Sequence, residues 1–564
     1  MRRTLLAPLL LLLLTLGPVA ALGFTIQREV IVHLLAVDAT GRGKVIDARI
    51  WVEIPGSDLF IAKPAYGVSE DTVLSARLAL FYASLLADVD PLTINGGFEI
   101  IGREEVSGAS GGLAFAVTYY SLIKGVYINT SHVALTGLLQ PNGMVAAVGG
   151  VEAKVEAASK LGISEIVAPV ASLSRLRVNS TKVGIVPVCS VAHALELVLS
   201  SPNINSANIT LRSSVFKESA FELLELLNET IRLFGDELGE HKAIITDGAS
   251  VANTLYNEGK YYAAASIAYS TLVMLLEVLP SGSLDNFTKL ILSKVNRTAF
   301  AEKLLETKNS IAVEKKVPLW RLEALLAADY RFYAASKLLM SSNPRDKALG
   351  ALRLLTAKHW LDASTRLTGP LIDQDVFKRS VRLLVTYADL SVKYLESLVK
   401  GAQVKIENPE KLGLDELRRD MNAAYIQGDD IRAAALALNA LALVAQTITQ
   451  YDIVAGADPV HEAICGLKQT MLHESIAGLK SFMTSMLVEY ATSAPTNITR
   501  AIMASQAATY SLLPLVMKVV SAHVQQQPGA YSPLDDRLVA VIVIAMIVGS
   551  GSVIAALSML KKIE

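Results

Sequence analysis

Apolar positions along the chain change their period once. From Phe24 to about Leu199, short segments alternate apolar and polar residues, as in Glu29-Val-Ile-Val-His33 and Val45-Ile-Asp-Ala-Arg-Ile-Trp-Val52. A two-residue period marks strands whose two faces meet different surroundings. Glycine-rich turns separate these segments, and Asp71 to Leu86 and Gly112 to Ile123 carry helical spacing instead. The mixture predicts an α+β domain over residues 24–199. Polar Ser200-Ser-Pro-Asn-Ile-Asn-Ser206 then predicts a linker, taken as 200–213. From 214 to 527 apolar residues recur every three or four positions, with clear helices over Tyr261 to Leu279, Leu319 to Met340, Val381 to Lys400 and Ile431 to Gln450. Breaks fall at Pro280-Ser-Gly, Asn343-Pro, Asn408-Pro and Ala494-Pro.

Both ends are more apolar than the middle. Met1-Arg2-Arg3 precedes an apolar run from Leu5 to Leu16 and small residues up to Ala21, so residues 1–22 are expected to be an export signal cut near Ala20 or Ala21. Leu538 to Leu560 contains no charge and is long enough to cross the roughly 30 Å hydrocarbon layer as a helix. Lys561 and Lys562 follow it, and the positive-inside rule puts them and the 561–564 tail in the cytoplasm. The bulk of the chain is then expected outside the cell membrane, with one pass at 538–560. Asn-x-Ser/Thr triplets at Asn129, Asn179, Asn208, Asn228, Asn286, Asn296 and Asn497 lie between the two apolar ends, where an exported chain offers them to glycosylation.

Composition narrows the function. Fifty-two Lys plus Arg against 53 Asp plus Glu leave a net charge of -1, which argues against a nucleic-acid partner. Two cysteines, Cys189 and Cys465, exclude a disulfide-rich scaffold and argue against a cysteine-based zinc site; small core residues are expected, with a single bridge as the alternative. The eight histidines form no His-Glu-x-x-His; His461-Glu and His473-Glu lack a third ligand, and no cofactor is expected. Asp429-Asp430 is expected at a helix start. In Gly259-Lys-Tyr-Tyr-Ala-Ala-Ala-Ser-Ile267 the placement of Gly, Tyr and Ala resembles half of a tetratricopeptide unit. No 34-residue period follows, so a helical bundle or degenerate repeat is expected.

Two segments carry chemistry. Ser107 to Gly112 is a run of small residues leading into a helix, with Ser110 where unpaired N–H groups and the helix dipole face outward. In the second, Ala134 to Ala158 predicts strand, turn, strand and helix. At 100° per residue Val151, Val155, Ala158 and Leu161 form an apolar stripe, and Lys154 falls inside it while Glu152, Glu156 and Lys160 face away. Burial lowers a lysine pKa from about 10.4 towards neutrality, and a neutral amine can serve a serine nucleophile as general base. A capping serine and a snorkelling lysine would show the same pattern.

Taken together, the segments resemble the proteolytic domain of the Lon protease family. Gly108-Ala-Ser110-Gly-Gly112 is similar to its nucleophile turn, Thr136-Gly137 to its Thr-Gly pair, and Gly149-Gly150-Val-Glu-Ala-Lys154 to its lysine element. The resemblance covers roughly Ala36 to Leu199 and implies Ser110 as nucleophile, Lys154 as base, Thr136 as orienter of the amine, and the Ser110 amide in an oxyanion hole. Ser107 and Ala109 stand where the family often has an acid and a proline. No Gly-x-x-x-x-Gly-Lys-Ser/Thr loop occurs; the nearest stretch, Asp38 to Val45, lacks the first glycine and the final hydroxyl.

The expectation is a Lon-like α+β protease domain, an all-α domain and one transmembrane helix. It would act as an ATP-independent serine endopeptidase on loose or unfolded polypeptides outside the cytoplasm; a membrane-anchored helical interaction protein with a dead site is the alternative. Partners would be polypeptide substrates and the membrane, and homo-oligomers are compatible with the pattern. Protease added to intact cells should degrade residues 24–527 yet spare a tag placed after Glu564. A protected Ser110 region would overturn this topology.

Overall fold

The computed structural model describes residues 25–526 apart from 39, 65–66, 103, 129–131, 174–182, 200–212, 402–403 and 405–412. The export signal, the C-terminal anchor, linker residues 200–212, the Asn408-Pro break and the triplets at Asn129, Asn179 and Asn208 lie outside the described residues.

The chain opens with a long antiparallel hairpin, β1 (Ile26–Val37) and β2 (Gly43–Ile54), registered Val30 opposite Ile50 and Leu34 opposite Ile46. Ile46, Ala48, Ile50 and Val52 are buried at every second position, which is the alternation seen in the sequence. Asp38 opens the turn between β1 and β2, its Oδ1 accepting from the Thr40 and Arg42 amides at 2.9 and 3.0 Å. Strands β3 (Phe60–Lys63), β4 (Asn95–Ile100), β5 (Val133–Leu135), β8 (Glu165–Pro169) and β9 (Gly184–Val188) complete a sheet ordered β3-β4-β2-β1-β5-β8-β9. Its β1-β5-β8-β9 side is parallel, and β1, β2 and β4 pair antiparallel. A small hairpin, β6 (Leu138–Leu139) and β7 (Val145–Ala146), stands beside the sheet.

Helices α1 (Glu70–Leu86), α2 (Gly112–Lys124), α3 (Val151–Lys160), α4 (Val170–Leu173) and α5 (Val191–Leu199) connect these strands. On α3, Val151, Val155 and Ala158 join Leu35, Ala134, Ile163 and Ile166 in one apolar cluster. Leu161 does not join them. The helix ends at Lys160, and Leu161 leaves it as the C-cap with 62% of its surface exposed. The α+β texture is therefore correct, and the stripe is one residue shorter than its periodicity implied.

The rest of the described chain is a helical bundle: α6 (Lys217–Phe234), α7 (Lys242–Asn257), α8 (Tyr261–Val278), α9 (Ser281–Lys294), α10 (Arg297–Val313), α11 (Leu319–Leu339), α12 (Pro344–Ser364), α13 (Gln374–Lys400), α14 (Leu414–Ile426), α15 (Asp430–Val454), α16 (Pro459–Ala477), α17 (Phe482–Ser493), α18 (Asn497–Tyr510) and α19 (Leu512–Gln526). Two short strands, β10 (Lys316–Pro318) and β11 (Leu371–Asp373), pair within it. The starts follow capping chemistry: Asn343 precedes Pro344 and accepts from Arg345 N, and Asp429 accepts from Arg432 N. Helices α8 and α15 are long and apolar enough to cross a membrane, but 56% and 78% of those stretches lie buried inside the bundle, as core helices do.

By contacts the described residues up to Val519 cluster as one compact unit, so the strand-rich part and the helices that follow it pack against each other. Phe81 of α1 stacks on Tyr387 of α13 at 4.4 Å. Polar groups pair across the same contact, all buried: Tyr387 OH donates to Pro141 O at 2.5 Å, and Asn142 Nδ2 donates to Ser505 O at 3.1 Å. Tyr82 OH meets His473 Nε2 at 2.8 Å, and Gln469 Nε2 donates to Tyr82 OH. His473 is thus a core histidine, held neutral by burial with its pKa lowered to about 4. Cys189 and Cys465, nearly half the chain apart in sequence, are free thiols brought together here.

Tyr387→Phe should destabilise the protein by about 1–3 kcal/mol, since it strands a buried carbonyl without its donor. Urea unfolding of the full chain, followed by circular dichroism, measures this. Tyr425→Phe, at an exposed site, should move the midpoint little.

Candidate active site

Ser110 lies in the turn before α2, with Gly111 as the N-cap of that helix. The turn needs glycine at Gly108, whose φ is +105°. It is clamped onto the first turn of α1. Thr72 Oγ1 donates to Gly108 O at 2.9 Å, Ser75 Oγ donates to Ala109 O at 3.3 Å, and Gly108 N lies 3.3 Å from both Ser69 Oγ and Asp71 Oδ1. Asp71 is 5% exposed; its Oδ1 also accepts from Thr72 N at 2.8 Å and from Ser69 Oγ. Sequence reasoning took Asp71 only as the start of a helix. Its signal was the Ser69-Glu-Asp71-Thr72 run, a capping set whose second customer is a loop that only the fold brings near.

Thr136 follows β5, and its backbone N donates to Val167 O of β8 at 3.0 Å. Two bonds join this segment to the serine turn: Gly137 N donates to Ser110 O at 2.8 Å, and Thr136 Oγ1 donates to the same oxygen at 3.2 Å. From the other side Lys154 Nζ donates to Thr136 Oγ1 at 3.0 Å. Ser110, Thr136 and Lys154, the three residues singled out in the sequence, are therefore linked in one place by a chain of two hydrogen bonds.

Lys154 is 2% exposed and Thr136 fully buried, while Ser110 is half-buried at the edge. Burial disfavours the ammonium and pushes the Lys154 pKa down from 10.5 to about 8. The approach of α3 that imposes this burial is close: a Cβ at Gly43, the first residue of β2, would lie 1.9 Å from Ala153 O. Glycine is required there by contact alone. Among the described residues no group of three His, Cys, Asp or Glu side chains is placed to hold a metal ion.

Chemically the arrangement offers a hydroxyl at a helix N-terminus and a desolvated amine oriented by a second hydroxyl. Such a set suits nucleophilic acyl transfer, with backbone amides available to an oxyanion. Residues 102–199 match the family model of the Lon protease (S16) C-terminal proteolytic domain. The chain is similar to an archaeal Lon protease of Archaeoglobus fulgidus, 33% identical over 99 residues that make up 17% of this chain and 16% of that one. It is also similar to archaeal Lon proteases of Thermoplasma acidophilum, 30% identical over 152 residues, and Thermoplasma volcanium, 28% over 152. Each of those stretches is 26% of this chain, against 22% and 23% of the relatives. The chain thus spans less than a quarter of the length of the curated relatives it matches.

The lysine's burial has a signature in stability. Below pH 8 folded and unfolded chains both carry a protonated Lys154, and the folded one bears the cost of the buried charge. Between about 8 and 10.5 the unfolded chain holds more protons, so this group makes stability rise with pH, and the rise ends above 10.5. Lys154→Met should flatten that rise and be more stable than the wild type at pH 7. Urea midpoints at pH 7, 9 and 10.5 test it; parallel profiles for the two proteins would place the amine in water.

Proposed function

We propose that the chain, whose residues 102–199 match the Lon protease proteolytic domain and so support serine protease chemistry, is a membrane-anchored, ATP-independent serine endopeptidase working outside the cytoplasm. Ser110 is the nucleophile, Lys154 its general base, and Thr136 the residue that orients the amine. The observation that carries this reading is the buried Lys154 amine, hydrogen-bonded to Thr136, whose own hydroxyl bonds the Ser110 carbonyl. A surface lysine snorkelling over a core edge would keep its ammonium in water; this one is enclosed.

In the proposed reaction the neutral Lys154 amine takes the Ser110 proton as the oxygen attacks the scissile carbonyl. Amides at the start of α2, that of Ser110 among them, stabilise the developing oxyanion. The lysine then delivers its proton to the leaving amine, and a water activated in the same way hydrolyses the acyl-enzyme. Asp71 acts through the loop, not on the substrate, by holding the Gly108 amide. The 564 residues contain no phosphate-binding Gly-x-x-x-x-Gly-Lys-Ser/Thr loop, which favours substrates already loose or unfolded over compact ones. The bundle would present such chains to the site or restrict access to it.

Ser110→Ala should abolish cleavage of an unfolded casein-type substrate, and Lys154→Arg should come close to it, because arginine cannot deprotonate near neutral pH. Losing a nucleophile or base usually costs several orders of magnitude in rate. Thr136→Ala should slow turnover without abolishing it. The wild-type rate should climb with pH through about 8, where the amine becomes neutral, and ATP with Mg²⁺ should leave it unchanged. Wild-type turnover in folded Lys154→Arg, or a flat profile from pH 5 to 10, would exclude the dyad.

A further inference from the structure

The bundle holds a half-open cavity of about 510 Å³ whose lining residues all lie between Phe216 and Tyr510, so the Ser110 site contributes nothing to it. Its walls come from α6, α8, α11, α12, α15, α17 and α18. A volume of that size holds a drug-sized molecule or the last few residues of a peptide. One side is aromatic, built on Phe216, Tyr262 and Trp360, with Phe216 and Trp360 edge to face at 4.7 Å.

The charge on the walls has one sign. Arg331 and Arg353 supply it, His359 lies beside them, and among the described residues no carboxylate lines the cavity. Arg331 lies over the Trp360 ring at 5.1 Å and donates to Ala327 O. Arg353 keeps its Nε buried with no hydrogen-bond partner. His359 is 5% exposed and gives Nε2 to Glu222 at 2.9 Å; a carboxylate only accepts, so Nε2 carries the proton. Its Nδ1 is buried without a partner. Polar atoms left unpaired inside a protein are costly, and here two of them, on neighbouring turns of α12, belong to side chains that border the same cavity. An anion in the cavity would accept short, charge-assisted bonds from the guanidiniums of Arg353 and Arg331, and a planar carboxylate matches the fork of arginine; His359 Nδ1, an acceptor while Nε2 holds the proton, needs a donor instead.

From this we infer that the cavity is a binding site for an apolar or aromatic molecule ending in a carboxylate. The carboxylate sits against Arg353 and Arg331, and the apolar body lies on the Phe216–Tyr262–Trp360 wall. Two sources share that chemistry: the C-terminus of a peptide, and a free organic acid.

The test uses the full chain carrying Ser110→Ala, in nanodiscs, with isothermal titration calorimetry at pH 7. Three probes are compared: acetyl-Ala-Leu-Phe with a free carboxylate, the same peptide as its C-terminal amide, and 4-phenylbutyrate. The free-acid peptide should bind at least about tenfold more tightly than its amide, the least expected for losing one charge-assisted pair. Equal or tighter binding of phenylbutyrate would assign the site to free acids, and failure of phenylbutyrate beside a binding peptide assigns it to C-termini; either supports the inference. Arg353→Gln should weaken the acid about tenfold and leave amide binding unchanged. Arg353→Lys, which retains the charge, should fall between them, with melting temperatures checking that both variants fold. Amide and acid binding alike, neither carboxylate binding at millimolar concentration, or undiminished acid binding by folded Arg353→Gln would overturn the inference. None of these readouts depends on peptide cleavage, so the site stands or falls separately from the proposed protease.

Discussion

The burial of one amine organises the α/β region. Taking Lys154 out of water costs about 3 kcal/mol if its pKa falls from 10.5 to about 8. The apolar neighbours on the same helix offset it, since Val151 and Val155 each contribute roughly 1.5–3 kcal/mol when fully buried. They can do so only if α3 lies flat on the sheet, and the bare Cα of Gly43 beneath Ala153 O permits that approach. The amine donates to Thr136 Oγ1. Thr136 in turn is fixed by Val167 O of β8 and by the Ser110 carbonyl, so sheet, serine turn and lysine helix are set by the same few bonds.

The helical bundle takes part in this arrangement from behind. The β6–β7 hairpin directly follows Thr136-Gly137, and its turn is gripped by the bundle at Pro141 and Asn142 through Tyr387 and Ser505. Ala147 N, just past β7, donates to the buried Asp452 carboxylate at 3.1 Å. Gly143, with φ +80°, abuts Tyr82, whose hydroxyl a Cβ there would meet at 1.9 Å. Tyr82 also bonds His473 of α16. The bundle thus holds the hairpin that directly follows Thr136-Gly137.

Much of this was legible in the linear order of residues. Alternation marked β1 and β2, and three- and four-residue spacing marked α8, α11, α13 and α15, because burial of one face repeats with the period of the backbone. Local capping showed at Asn343 and Asp429 for the same reason: those bonds span two or three residues. Ser110, Thr136 and Lys154 were each visible through their neighbours, the first two by glycines that follow them and the lysine by its place within an apolar stripe. Leu161 was misplaced because periodicity does not say where a helix stops.

By itself the sequence determined which segments are strands and helices and which lysine turns inward, since these depend on contacts between near neighbours. Only the tertiary structure decided the rest. It brought Asp71 to Gly108, linked Lys154 to the Ser110 carbonyl through Thr136, seated the bundle on the β6–β7 hairpin, and left a cavity lined by two arginines and an aromatic wall. Those pairings join residues separated by tens to hundreds of positions, and no local period records them, because their energy depends on distances in space that the chain acquires only when its core has closed.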